Sequence, residues 1–92
     1  MRHTMQMIRV KLKRAWTIYP SKQKTEWSID NGEYHIRSCT DDDSDGWNRV
    51  RYDEVDVSLG ALVTVTETTR EGLVNREFYE VTSEGLQFTD CD

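Results

Sequence analysis

Three groups of side chains in this 92-residue chain have types and spacings that could do chemistry. Asp41, Asp43 and Asp45 alternate ahead of Gly46, which lets carboxylate oxygens gather round a hard cation where a glycine permits the sharp turn. The twelfth position of such a loop needs a bidentate glutamate; Tyr52 stands there, with Asp53 and Glu54 just out of register. The segment therefore reads as a solvated acidic loop, and no metal is expected. Ser28 and His35 would meet across a hairpin, but an activated serine needs nucleophile, base and orienting acid held together, and no such acid accompanies them. Cys39 and Cys91 lack the further cysteines or clustered histidines of a zinc site, and they are expected to be free thiols in a reducing compartment. The five glycines are dispersed and form no phosphate-cradling loop. Neither an enzyme nor a cofactor is expected.

Charge is the stronger signal. Residues 1–25 carry seven Lys or Arg and no acid, whereas the remainder carries five basic and seventeen acidic residues, a formal -12. Arg9, Lys11 and Lys13 share one parity of an extended segment and Ile8, Val10 and Leu12 the other. With Lys22 and Lys24 they make a stripe that could follow phosphates, with Trp16, Tyr19 or Trp27 available to stack on bases. The opposing candidate surface is acidic: Asp41, Asp42, Asp43, Asp45, Asp53, Glu54 and Asp56, extended near the last hairpin by Glu67, Glu71, Glu77, Glu80 and Glu84. The net charge of -5 repels a polyanion from most directions. A non-enzymatic accessory or regulatory domain that uses its acidic surface to engage a basic protein is therefore the expected function. Nucleic-acid binding through the basic strand is the alternative, and a homodimer joining basic strand to acidic region is a further arrangement. No apolar run reaches membrane-spanning length, and the first residues lack the apolar core and cleavage site of a signal peptide. A cytoplasmic location follows as an expectation.

The elements that must position these groups read as strands. The fold class expected is mostly β: one domain over 1–92, a small antiparallel sheet or open barrel of five to six strands, with residues 1–6 and 89–92 flexible. A first strand spans 7–19, where Arg14 breaks the apolar parity and implies either a bulge or a long side chain reaching out from a half-buried site. Asn31-Gly32 suits a type I′ turn, which predicts a hairpin with Ile29 opposite Tyr34 and Trp27 opposite Ile36. Val55, Val57, Leu59, Ala61, Val63 and Val65 then alternate without interruption, one long strand with a bend at Gly60. The three-residue loop of "TREGL" predicts Val65 opposite Glu77, Val63 opposite Tyr79 and Ala61 opposite Val81; "SEG" turns the chain into a short last strand. One short helix over 58–70 is the alternative, with Ser58 as its cap, set against seven β-branched residues between Val57 and Thr69.

That alternative acquires content from "TREGLVNREFYEVTSEGLQF", residues 69–88. Gly72, Leu73, Val74 and Arg76, followed by Tyr79, Val81, Thr82 and Gly85, resemble the wing strands of winged-helix transcription regulators. The resemblance implies DNA binding, with a helix over 58–70 in the major groove. The chain departs from that family in leaving only Glu77 and Phe78 for the wing, in placing Glu67 and Glu71 on the would-be reading helix, and in carrying hairpin signals upstream.

Overall fold

The computed structural model describes residues 6–17, 23–42, 48–69 and 71–92. They form one open antiparallel sheet of seven strands: β1 (Met7–Thr17), β2 (Lys24–Asp30), β3 (Tyr34–Asp42), β4 (Asn48–Ser58), β5 (Leu62–Thr68), β6 (Val74–Thr82) and β7 (Gly85–Cys91). The spatial order is β3-β4-β1-β2-β5-β6-β7. The mostly-β expectation is met, with seven strands in place of five to six. Among the described residues there is no helix at all, and hence none long and apolar enough to cross a membrane.

The sheet is effectively two halves. Among the described residues β1 and β2 share two residue pairs, Ala15 with Thr25 and Trp16 with Lys24, whereas β1 pairs with β4 along its whole length from Met7–Ser58 to Thr17–Asn48. From that short ladder the halves β3-β4-β1 and β2-β5-β6-β7 fold toward each other. Between them lie Val10, Leu12, Val55 and Val57 from the first half, Trp27, Val63 and Val81 from the second, and Ala61 at the crossing. The uninterrupted apolar parity of residues 55–65 explains how one core serves both halves. It runs through the turn at Leu59-Gly60, where Gly60 takes a left-handed φ of 87°. What reads as one long strand is β4 and β5, a strand from each half.

The Asn31-Gly32 segment differs from its expectation for a related reason. β2 pairs with β5 and β1, and β3 with β4, so β2 and β3 are joined by a corner rather than a hairpin. Asn31 is left-handed, with φ 58°, but Gly32 is absent from the positive-φ residues, so a type I′ turn does not form. Gly32 is needed for close approach: a Cβ there would stand 2.5 Å from Ser58 Oγ and 2.7 Å from Ala61 Cβ. The two corners are stitched together. Ser58 N donates to Glu33 O at 3.0 Å, Glu33 N donates to Ser58 Oγ at 3.0 Å, and Leu59 N reaches Gln6 O at 3.0 Å.

The C-terminal strands match their predicted register. Val63 faces Tyr79, Val65 faces Glu77, Val81 N donates to Ala61 O at 2.9 Å, and Gly72 is left-handed at φ 88°. Of residues 58–70, the alternative helix, the described residues 58–69 instead supply a turn and β5, because β-branched side chains pack on the pleated surface. This removes the major-groove helix that the winged-helix resemblance implies. β7 continues to Cys91, and Asp92 N donates to Arg76 O at 2.7 Å, so the tail expected to fray is taken up by the sheet. At Arg14 the β1–β4 register is unbroken; the side chain accommodates, not the backbone. The register shifts lie elsewhere, between Ile36 and Ser38 and between Phe78 and Tyr79.

Candidate protein-interaction surface

The basic and acidic sets, separated in sequence, meet in space. β1 lies beside β4 with Arg9 opposite Asp56 and Lys11 opposite Glu54. On this outer face Arg9 Nε is 3.4 Å from Asp56 Oδ1, and Arg37 of β3 reaches Glu54 Oε1 at 3.0 Å and Asp56 Oδ2 at 3.2 Å. Lys11 Nζ sits 4.7 Å over the ring of Tyr52. Each exposed pair contributes little, on the order of 0–1 kcal/mol, but together they compensate Arg9 from the basic set and Glu54 and Asp56 from the acidic one. Lys24 stands in the other half, 3.4 Å from Glu26, so the expected five-residue basic stripe is divided. Trp27 is buried and presents no stacking face. Lys22, Tyr19, Asp43 and Asp45 lie outside the described residues.

Asp53 does not belong to any surface. It occupies the core parity of β4 with Val55 and Val57 and is fully buried. Its Oδ1 accepts from Arg51 Nε at 3.0 Å, its Oδ2 accepts from Trp27 Nε1 at 3.2 Å, and Arg14 Nε lies 3.6 Å from Oδ2. The Arg14 guanidinium also stacks 5.0 Å over the Trp27 ring. A carboxylate out of water requires both charge compensation and hydrogen bonds, and this one draws them from three strands and both halves. Arg51 also donates to Cys39 Sγ at 2.7 Å, and this contact, with the charge of Asp53, raises the guanidinium above its ordinary value. Sequence carries a signal for this cluster: Arg14 stands on the parity of Val10 and Leu12, and Arg51 and Asp53 stand on that of Val55 and Val57.

Acid is concentrated in the second half. Strands β2, β5, β6 and β7 contain six acidic residues against two basic, whereas β1, β3 and β4 contain seven basic against five acidic. Where β5, β6 and β7 run beyond the core, a groove of about 280 Å³ opens between Glu67, Asn75, Arg76, Glu77, Cys91 and Asp92. Arg76 Nη1 is 3.6 Å from Asp92 Oδ2, leaving Glu67 and Glu77 as the carboxylates of the groove with no ion-pair partner among the described residues. The Tyr79 phenol reports the resulting field. It donates to Glu77 Oε1 at 3.4 Å, and its pKa is raised above 10.0 first by burial, then by the charges of Glu77 and Glu67.

A folded-state value above the unfolded one favours the neutral phenol. The stability Tyr79 contributes is therefore present below pH 10.0 and lost as pH rises through its folded value. Absorbance titration is expected to show a tyrosine phase above pH 10.0, and Tyr79→Phe is expected to remove it. A titration above pH 10.0 that is unchanged in Tyr79→Phe would contradict the assignment.

Among the described residues no group of three or more histidine, cysteine or acidic side chains is placed to hold a metal ion. Cys39 and Cys91 are free and exposed, on opposite edge strands. The chain matches no family model, no curated protein and no solved structure.

Proposed function

We propose that the chain works without chemistry of its own, as an accessory or regulatory domain that binds a basic protein through the acidic side of its second half. The carrying observation is the excess of carboxylates on β2, β5, β6 and β7, with a groove at Glu67 and Glu77 of a size for one lysine or arginine side chain. Asp41, Asp42, Glu54 and Asp56 belong to the oppositely balanced half and are not part of this surface. A reducing, cytoplasmic setting fits the two free thiols.

Calorimetric titration with arginine- and lysine-rich peptides tests the reading. Binding is expected to weaken about tenfold between roughly 50 and 200 mM salt, since exposed charge pairs are screened beyond about a Debye length. Glu67→Gln with Glu77→Gln is expected to weaken it to a similar degree. Equal affinity for a neutral peptide of the same length would defeat the proposal.

A second reading keeps one observation in its favour. Lys11 and Lys13 project from the outer face of β1 beside Tyr52, and the first half is net positive. Binding to single- or double-stranded nucleic acid that is lost in Lys11→Ala with Lys13→Ala would replace the first reading with this one.

A further inference from the structure

The sheet is open, so among the described residues it ends in two strands unpaired on their outer sides, β3 at one edge and β7 at the other. Such edges present free backbone donors and acceptors and are normally blunted by proline, charge, a bulge or a covering element. Neither strand contains proline, no helix among the described residues covers them, and the bulges they carry, at Arg37 and Thr89, lie outside residues 34–36 and 86–88. Both continue the core-facing apolar side past its cover. On β3, Tyr34 pairs with Val57 and Ile36 with Val55, yet both side chains are exposed, at 42% and 48%. On β7, Leu86 pairs with Val81 and Phe88 with Tyr79, and Phe88 is 52% exposed. The Phe88 ring is packed edge-on against Tyr79 on one side only, at 5.6 Å.

We propose that the occupant of the β3 edge is the β7 edge of a second copy of this chain, added as an antiparallel strand. This goes beyond the acidic-surface reading and stands without it. Alternation is the first argument. Setting Tyr34 opposite Phe88 of the second copy sets Ile36 opposite Leu86, so both apolar pairs fall on one face, while His35 meets Gln87 on the other. Charge is the second argument. β3 edges the half with seven basic against five acidic residues, and β7 edges the half with six acidic against two basic. A β7–β7 contact would oppose two acidic halves, whereas the mixed contact opposes halves of opposite balance.

The contact is head-to-tail, so each added copy exposes a fresh β3 or β7 and the assembly lengthens rather than stopping at two. One strand pair falls short of the roughly 1,200 Å² of a stable interface, so assembly is expected only at high concentration.

Sedimentation velocity and light scattering on the whole chain test this. Wild-type mean mass is expected to climb from the 10.8 kDa monomer without a plateau at twice that value as concentration rises toward about 1 mM. Ile36→Lys blocks β3 and leaves β7; Phe88→Lys blocks β7 and leaves β3. Each alone is expected to stay monomeric, and an equimolar mixture is expected to form a 1:1 dimer that goes no further. Circular dichroism qualifies each variant as folded, and the wild-type concentration series decides the matter even if one is not. A wild type that remains monomeric at about 1 mM overturns the proposal. So does a Phe88→Lys chain that associates as wild type, which would mean β3–β3 pairing. So does a mixture that stays monomeric while the wild type assembles.

Discussion

Asp53→Ala is expected to remove about 3–5 kcal/mol of folding stability, the range for deleting one partner of a buried ion pair. The substitution strips Arg14 and Arg51 of their shared carboxylate and leaves the Trp27 indole N–H without its acceptor. A small domain has on the order of 5–15 kcal/mol in all, so the variant should be extensively unfolded at modest urea. Asp53→Asn separates shape from charge. It keeps an acceptor for Trp27 but strands the guanidiniums, and its loss should fall between wild type and alanine. A further contrast isolates the pairing itself: Arg14→Met combined with Asp53→Leu should cost less than the sum of its single changes, because no unpaired charge remains at that contact. Urea midpoints across the set measure all three. If Asp53→Ala shifts the midpoint no more than a surface substitution, the network is not what joins the halves.

Gly32→Ala is the second large effect, expected at about 1–3 kcal/mol for forcing a methyl into filled space. The cause is contact rather than dihedral strain, since Gly32 lies outside the left-handed region while its absent Cβ would overlap Ser58 Oγ and Ala61 Cβ. The two corners, 31–33 and 58–61, would have to separate, lengthening the bonds between Ser58 and Glu33. Gly60→Ala provides the comparison, for it meets nothing within 4 Å but sits at φ 87°. Hydrogen exchange distinguishes them. Gly32→Ala should expose the amides of both Glu33 and Ser58, whereas Gly60→Ala should leave Glu33 protected.

The parts legible in sequence are those governed by neighbours in the chain. The β5–β6 hairpin needs only alternating side chains and a glycine at the left-handed place, and Gly72 supplies it. The β6–β7 turn at Gly85 is likewise local. The corner at Asn31-Gly32 is not. The same dipeptide serves a hairpin when its strands pair and a corner when each strand finds another partner, and the decisive contacts come from Ser58 and Ala61, far along the chain. Three of the acidic candidates owe their surroundings to a similar cause. Glu54 and Asp56 count as surface charges until Arg9 and Arg37 arrive beside them, and Asp53 until its parity with Val55 and Val57 is weighed against its charge.

The order of strands also bears on how the chain acquires its shape. β1, made first, has nearly all its ladder with β4, so Met7 waits for Ser58. β5, β6 and β7 form a meander whose neighbours are adjacent in sequence. Loop-closure entropy penalises the distant pairing and scarcely touches the meander. On a ribosome, β1 is thus born without its main mate, its apolar face bare until Asn48–Ser58 has been synthesised.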